Sequence, residues 1–274
     1  MINMHAQHSN LIPILTIAGS DCSGGAGIQA DLKTFGAHNL FGMSVVLSVV
    51  AENTARVLSS FDVPTRIIDE QIEAVFEDIP PQAVKIGMLG SADIIACVAQ
   101  NLQKWQPKNV VIDPVMFAKS GFALMPPQNC ALFAREMIRF ADVLTPNIPE
   151  AQALCGFEIC DENAMKRAAE VLHQKGAKSV LVKGGHRSKN ANDVFFDGNT
   201  MSVLASERIE TRNTHGTGCT LSSAIAANLA LGKGALQAVR EAKEYVFGAI
   251  LHSLNLGKGY GPTNHFYRLF AAKS

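Results

Sequence analysis

The stretch IPILTIAGSDCSGGAGIQADLKTFGAHN, residues 12–39, contains a complete strand, a glycine-rich turn and a helix. Ile12–Ala18 is an apolar run of strand length, and apolar residues recur at helical spacing through Gly27–Asn39. Met43–Val50 is a second β-rich run. A strand, a helix and a strand in this order predict a βαβ unit and therefore a parallel sheet.

The same alternation continues along the chain. Further strands are predicted at 83–86, 110–112, 143–145 and 179–182, and further helices at 69–78, 92–103, 128–140, 161–175, 220–231 and 235–254. Asp193–Phe196 and Thr200–Leu204 flank the turn Asp197-Gly198-Asn199, which predicts a single antiparallel hairpin. We therefore expect an α/β fold in one domain over 12–270, preceded by a loose tail over 1–11.

The composition excludes several classes of protein. The 274 residues carry 24 basic and 24 acidic side chains, and this balance argues against a nucleic-acid partner. With 47% apolar and 18% charged residues the chain is not of the disordered class, and no apolar stretch approaches the roughly 18–20 residues of a membrane span. The cysteines form no C-x-x-C pair, which favours reduced thiols. The N-terminus has no signal-peptide features, and both observations favour a cytoplasmic location.

Polar residues and glycines follow several predicted strands, at the edge where ligands bind in parallel α/β sheets. These positions are Gly19-Ser20-Asp21, Asp113-Pro114, Pro146-Asn147 and Lys183-Gly184-Gly185-His186. Each taken alone is an ordinary turn sequence, but four on one edge predict a binding site. No spacing pairs His186 with His215 as metal ligands.

Three charged residues near this edge are candidates for phosphate chemistry. Asp113 and Glu150 are candidate Mg²⁺ carboxylates, because Mg²⁺ is held by few carboxylates and often through water. The alternative for Glu150 is a structural role at a helix N-terminus beside Pro149. Lys183 is the candidate cation for nucleotide phosphates.

The segment NTHGTGCT, residues 213–220, leads into a predicted helix. Its glycines leave backbone N–H groups free to converge on an anion, and the helix N-terminus adds partial positive charge. Such a nest suits the phosphoryl group of a nucleotide. Cys219 lies in the first turn, where we expect its pKa to be lowered from about 8.5, so that it can act as a base toward an alcohol. The alternative is that Cys219 is a small buried core residue.

A second glycine loop supports a rival hypothesis. The pattern Gly25-x-Gly27-x-x-Ala30, with the acidic Glu52 further along the chain, matches the dinucleotide fingerprint of NAD-dependent oxidoreductases. This pattern leaves the second anion nest unexplained. Neither a P-loop nor a G-x-S-x-G motif occurs in the sequence, which excludes a P-loop kinase and the commonest class of serine hydrolase.

Several segments together resemble one family. They are TIAGSDCSGGAGIQADLKTF (16–35), VKIGMLGS (84–91), VIDPVMFAKSG (111–121), ADVLTPNIPEAQALCG (141–156), LVKGGH (181–186), NTHGTGCTLSSAIAANLALG (213–232) and GKGYGPTNHF (257–266). The chain resembles the bacterial hydroxymethylpyrimidine/phosphomethylpyrimidine kinases of thiamine biosynthesis, within the ribokinase superfamily. The resemblance implies a three-layer α/β/α sandwich with a mostly parallel sheet, and a homodimer.

The resemblance also implies a reaction. The expected substrate is 4-amino-5-hydroxymethyl-2-methylpyrimidine, a small molecule whose hydroxymethyl group receives a phosphoryl group from ATP with Mg²⁺. The same enzyme then converts the monophosphate to the diphosphate. Cys219 stands where sugar kinases of the superfamily carry an aspartate base.

Carried over by position, the resemblance assigns residues to roles. The catalytic set is Lys183, Gly216, Thr217, Gly218 and Cys219. The pyrimidine pocket is Gly19, Asp21, Ala26, Glu52, Met88 and Val115, together with Cys219. The nucleotide contacts are Lys183, Thr214 and Lys243, and the magnesium carboxylates are Asp113 and Glu150.

Glu52 departs from the family pattern, which commonly has glutamine at this position. Glutamine offers a donor and an acceptor to an aminopyrimidine, whereas an ionised glutamate offers acceptors only. Glu52 must therefore carry a proton or bind a protonated ring, and we expect pH-sensitive recognition. The alternative is a change of substrate toward pyridoxine, as in pyridoxine/pyridoxal kinases. Cys219 argues against it, because those enzymes generally carry aspartate there.

Overall fold

The computed structural model describes residues 11–118, 121–185 and 191–271. Most of the predicted tail, residues 1–10, and His186 lie outside this part of the chain. The strands are β1 (Pro13–Asp21), β2 (Phe41–Glu52), β3 (Val57–Asp62), β4 (Val84–Ile86), β5 (Val110–Ile112), β6 (Val143–Leu144), β7 (Val180–Val182), β8 (Asp193–Phe196) and β9 (Met201–Leu204). The helices are α1 (Gly27–Ala37), α2 (Thr65–Asp78), α3 (Ala92–Trp105), α4 (Asn129–Glu136), α5 (Ile148–Cys155), α6 (Glu162–Gln174), α7 (Thr217–Ala230), α8 (Ala235–Leu251) and α9 (Tyr267–Ala271).

The strands form one sheet in the order β3-β2-β1-β4-β5-β6-β7-β8-β9. The run from β2 through β1 and β4 to β7 is parallel. At each edge the sheet turns antiparallel, at β3 on one side and at β8 and β9 on the other. β1 pairs with β2 on one side and with β4 on the other, so the chain changes direction across the sheet at β1, and ligands of open α/β sheets bind at such switch points.

Helices cover both faces of the sheet, which confirms the predicted three-layer α/β/α sandwich with a mostly parallel sheet. On one face, buried side chains of α2 to α6 pack with alternate strand residues such as Val84 and Ile86. On the other face, α1, α7 and α8 pack against the intervening positions, including Val111 and Leu181. Because successive strand residues point to opposite faces, the short central strands serve both cores.

Two elements differ from the sequence-based expectation. The predicted hairpin is present as β8 and β9. The strand β3, which was not predicted, adds an antiparallel pair at the opposite edge of the sheet. Its residues are mostly exposed, so it shows no buried alternation. The helix α5 was not among the predicted helices either, although a helix N-terminus beside Pro149 was the alternative considered for Glu150. Pro149 lies in the first turn of α5, where proline is tolerated. Within the described ranges, no helix is long and apolar enough to cross a membrane.

Candidate active site

A cavity of about 740 Å³ opens at the carboxyl ends of the parallel strands. Every residue that was predicted for the site lines it. They are Gly19, Asp21, Ala26, Glu52, Met88, Asp113, Val115, Glu150, Lys183, Thr214, Gly216, Thr217, Gly218, Cys219 and Lys243. Residues that are more than two hundred positions apart in the chain therefore line one cavity, as expected where parallel strands end together.

The two glycine loops pack directly on each other, and residues of both line the cavity. Gly216 has φ +77°, and a Cβ at this position would lie 1.7 Å from the carbonyl oxygen of Gly25. A Cβ on Gly25 would in turn lie 2.3 Å from the His215 ring. Glycine is thus required at both positions, and the contact brings the N-termini of α1 and α7 together.

Asp21 holds the glycine loop that contains Gly25 in place. Its carboxylate accepts hydrogen bonds from the backbone N–H groups of Ser23 at 2.7 Å, Gly25 at 3.1 Å and Ala26 at 2.7 Å, and lies 2.8 Å from Nε2 of His215. Burial alone would raise its pKa, but these hydrogen bonds outweigh burial and lower the pKa to about 2. Asp21 is therefore an anionic anchor of the loop as well as part of the cavity wall.

This arrangement excludes the dinucleotide hypothesis. In the NAD fold the pyrophosphate occupies the N-terminus of the first helix. Here the carboxylate of Asp21 already fills that position and accepts from Gly25 and Ala26. The rival hypothesis of an NAD-dependent oxidoreductase therefore fails, since the glycine pattern serves the packing of two loops.

Glu52 ends β2 and faces the cavity beside Asp21. Partial burial and the neighbouring Asp21 carboxylate raise its pKa to about 7, while His215 acts in the opposite direction. Near neutral pH the Glu52 carboxyl group is therefore present in both forms. The protonated form has an O–H donor and an acceptor, which is the hydrogen-bonding pattern that an aminopyrimidine requires.

We expect Glu52→Gln to remove a pH dependence of substrate binding. In the wild type, the protonated fraction of a group with a pKa near 7 falls about tenfold between pH 6 and pH 8, so the KM for hydroxymethylpyrimidine should rise about tenfold. In Glu52→Gln the KM should stay flat over this range. Steady-state kinetics at several pH values check this; an equally steep rise in the variant would assign the pH dependence to another group.

Cys219 lies in the first turn of α7 and lines the cavity. The prediction of a lowered pKa was wrong. Burial raises the pKa of the thiol to about 11; Lys85 and the backbone N–H of Gly27 lower it, but Asp31 and Asp113 raise it further. Desolvation and the nearby carboxylates thus raise the pKa of the thiol more than the helix N-terminus can lower it. The local sequence does not show which of these effects is larger.

Lys183 connects the two candidate metal carboxylates. Its Nζ lies 2.7 Å from Oδ1 of Asp113 and 4.0 Å from Oε2 of Glu150. Burial disfavours the ammonium, but the two carboxylates raise the pKa of Lys183, so it remains charged. Gly218 lies against this group, since a Cβ there would be 3.5 Å from both Asp113 Oδ2 and Lys183 Nζ. The anion nest and the charged cluster therefore share one end of the cavity.

Glu150 also has the structural role that was considered for it. Asn147 and Glu150 form a capping box at the start of α5: the Asn147 side chain accepts from the backbone N–H of Glu150 at 2.9 Å, and a Glu150 carboxylate oxygen accepts from the backbone N–H of Asn147 at 2.8 Å. Burial and Asp113 raise the pKa of Glu150 to about 7, although Lys183 lowers it. Glu150 thus caps a helix and faces the cavity.

Lys243 reaches the cavity from α8 and is tied to the hairpin strand β8. Its Nζ lies 2.5 Å from Oδ2 of Asp193 and donates to the carbonyl oxygen of Ala191 at 2.9 Å. Asp193 also accepts from the backbone N–H of Gly184 at 2.8 Å. Lys243 therefore links α8 to the loop that follows Lys183, next to the region predicted for the nucleotide.

Lys85 was missed by the sequence-based assignment. It is the middle residue of the three-residue strand β4, it is completely buried, and it lines the cavity beside Cys219. A lysine between two buried apolar strand residues could have been recognised, because a buried ammonium requires an anionic partner. That partner, Asp31 on α1, lies 2.8 Å away.

Known proteins share both this sequence and this fold. The family model described as phosphomethylpyrimidine kinase matches residues 21–264. A hydroxymethylpyrimidine/phosphomethylpyrimidine kinase of Haemophilus influenzae is 45% identical over 94% of this chain and 98% of its own length. A phosphomethylpyrimidine kinase structure from Clostridium difficile superposes with a TM-score of 0.80 at 49% identity, over 87% of this chain and 99% of that one.

A pyridoxal kinase is also among the structural relatives. The Bacillus subtilis pyridoxal kinase, solved as an ADP complex, superposes with a TM-score of 0.88 at 40% identity, over 94% of this chain and 99% of that one. The matched region of the family model begins at Asp21, the last residue of β1, and extends past α8, so it contains all of the assigned cavity residues except Gly19. The chain belongs to the phosphomethylpyrimidine kinase family.

Proposed function

We propose that this protein transfers a phosphoryl group from ATP to the hydroxymethyl group of 4-amino-5-hydroxymethyl-2-methylpyrimidine, and then to the resulting monophosphate. The single observation that carries this proposal is the convergence of the Gly216–Gly218 nest, Lys183 and Cys219 on one cavity. ATP as the donor is supported by the family of kinases and by the ADP complex of the Bacillus subtilis relative. Curated relatives that are named as thiamine biosynthesis enzymes support the pathway.

Each part of the site has a task in this reaction. The backbone N–H groups of the nest and the ammonium of Lys183 stabilise the charge on the phosphoryl group in flight. The hydroxymethyl oxygen forms a bond to phosphorus as the bond to the ADP oxygen breaks, and the thiolate form of Cys219 accepts the hydroxyl proton and becomes a neutral thiol. Glu52 and the apolar side chains of Met88 and Val115 orient the flat pyrimidine ring.

Pyridoxal kinase activity is the second candidate. It is favoured by the 40% identity with the Bacillus subtilis pyridoxal kinase and by the acidic residue at position 52. A protonated Glu52, however, presents the same donor and acceptor pair as a glutamine. We therefore assign the pyrimidine as the main substrate.

Mg²⁺ fits the charged cluster. Among the described residues, the buried carboxylates Asp113 and Glu150 share the Lys183 ammonium, and burial together with the nearby Asp113 raises the pKa of Glu150. A divalent cation, bound with ATP and held through water, would supply the missing charge. We propose Asp113 and Glu150 as the residues that hold it, and the ion would neutralise the phosphate oxygens.

Asp113→Asn should raise the Mg²⁺ concentration that gives half-maximal activity by about 10–100-fold, the usual effect of losing a group that orients a bound metal through water. A Mg²⁺ titration at fixed ATP checks this. Asp142→Asn is the matched control, because Asp142 lies outside the cavity, 2.6 Å from Lys178. An unchanged Mg²⁺ requirement in Asp113→Asn would remove Asp113 from the metal site.

We further propose a homodimer in the cytoplasm. Exposed apolar side chains at the β2–β3 edge, namely Val49, Leu58 and Phe61, support a protein interface there. All six cysteines are free thiols, which supports a reducing compartment.

The reaction is tested by product masses. Purified protein is incubated with ATP, Mg²⁺ and hydroxymethylpyrimidine, and the pyrimidine products are followed by mass spectrometry. We expect one phosphate to be added first, and a second to appear as the monophosphate accumulates. A product that stops at the monophosphate would contradict the second step, and no product at all would contradict the proposed function.

A further inference from the structure

Lys85 is a charged residue at the centre of the sheet. Its neighbours in β4, Val84 and Ile86, point into the core formed with α2 to α6. The side chain of Lys85 therefore points to the opposite face, toward α1 and α7. There it is completely buried, yet its strong interaction with Asp31 raises its pKa above the usual value although burial alone would lower it. The ammonium is thus a permanent positive charge inside the protein.

Asp31 holds this ammonium through both of its carboxylate oxygens. Lys85 Nζ donates to both carboxylate oxygens, at 2.9 and 2.8 Å. The hydroxyl groups of Thr16 and Ser223 donate to the same carboxylate, each at 2.6 Å. Asp31 therefore joins β1, β4, α1 and α7 at one point, and the position of the Lys85 ammonium is over-determined.

The cluster adjoins Cys219 through α7, because Ser223 donates to Asp31. Ser223 follows Cys219 by one turn of α7, on the same side of the helix. Among the charges that act on the thiol, Lys85 on β4 has the largest effect and favours the thiolate. Asp31 on α1 and Asp113 after β5 oppose it, and the backbone N–H of Gly27 assists it.

Stability alone is a weak explanation for this pair. A buried ion pair contributes little net stability compared with well-packed apolar side chains of similar volume, because both charges must be desolvated. The adjacent strand positions and α7 are rich in apolar residues that could fill this space. The Lys85 ammonium is better explained by its effect on the protonation of the Cys219 thiol.

We propose that Lys85 is a positioning residue for phosphoryl transfer, in which its fixed ammonium stabilises the negative charge of the Cys219 thiolate. The thiolate then accepts the proton of the substrate hydroxyl and becomes a neutral thiol as the oxygen–phosphorus bond forms. This inference rests on the proposed function for its role in catalysis. The effect on the thiol itself can be measured without substrate.

The test is the rate of alkylation of Cys219 by iodoacetamide as a function of pH. Thiolate is the reactive form, so the rate follows the fraction of thiolate. In Lys85→Met we expect the Cys219 rate at pH 8.5 to fall about tenfold, equivalent to one pKa unit. Peptide mass spectrometry separates the cysteines, and the exposed Cys22 should react at an unchanged rate in both proteins.

Asp31→Asn is the matched variant. It removes a carboxylate that disfavours the thiolate while keeping an acceptor for Ser223. Cys219 alkylation should therefore become faster, in the direction opposite to Lys85→Met. Slower alkylation in both variants, or no change in either, would overturn the proposal, since a purely structural cluster predicts no opposite shifts.

Thermal melting establishes that each variant is folded. If Lys85→Met does not fold, the Asp31→Asn variant alone tests the proposal: faster Cys219 alkylation supports it, and slower or unchanged alkylation overturns it. The proposed kinase function and the proposed role of Lys85 can fail separately. A wild type that phosphorylates no pyrimidine would contradict the kinase function. The alkylation rates would still decide whether Lys85 stabilises the thiolate.

Discussion

Cys219→Ala is expected to lower kcat for hydroxymethylpyrimidine by about 10²–10⁴-fold, the usual contribution of a positioned proton acceptor. The KM should change little, because alanine keeps the backbone N–H groups of the nest and leaves Glu52 in place. The variant removes the sulfur, which is the proposed acceptor of the hydroxyl proton. Steady-state kinetics with the purified variant measure both constants.

Cys160→Ala is the matched control for this change. Cys160 is an exposed free thiol outside the cavity, so its loss should leave kcat unchanged. A Cys219→Ala protein with wild-type kcat would show that the thiol is only part of the cavity wall. A loss of kcat in both variants would point to a general effect of cysteine removal.

Gly216→Ala is expected to have the second large effect. At φ +77° an alanine is strained by about 1–2 kcal/mol, and overpacking against the Gly25 carbonyl oxygen adds about 1–3 kcal/mol. The new Cβ must push the two glycine loops apart. Since a displacement of about 1 Å in a catalytic site can cost about 100-fold in rate, kcat should fall by about that factor.

Gly232→Ala separates strain from collision. Gly232 also has positive φ, at +83°, but a Cβ there meets nothing within 4 Å. This variant should lose about 1–2 kcal/mol of unfolding free energy and keep its activity. Denaturant unfolding and kinetics of the two variants give the comparison. Equal activity in both would mean that the contact between the loops is not needed for catalysis.

The parallel part of the fold could be predicted from the sequence because its strands and helices carry strong periodic patterns. Val110–Ile112 was predicted with its observed bounds, and the hairpin of β8 and β9 was located by its turn residues. The strand β3 could not be found in this way, because an exposed edge strand buries neither face. The helix α5 was hidden by its proline and by its short length.

The residues of the site were easier to predict than their electrostatics. Glycines, carboxylates and Lys183 sit at strand ends, so their positions in the chain indicate one edge of the sheet. The pKa of Cys219, in contrast, depends on burial and on Asp31 and Asp113, which the fold brings close to it. Likewise the contact of His215 with Asp21 joins residues at opposite ends of the chain. Such effects need the three-dimensional arrangement.

The most direct test of the central claim is a coupled ATP-consumption assay that compares kcat/KM for hydroxymethylpyrimidine, its monophosphate and pyridoxine, in the wild type and in Cys219→Ala. We predict turnover of both pyrimidines by the wild type, weaker turnover of pyridoxine, and loss of pyrimidine turnover in the variant. Turnover of pyridoxine alone, or of none of the three compounds, would contradict the assignment.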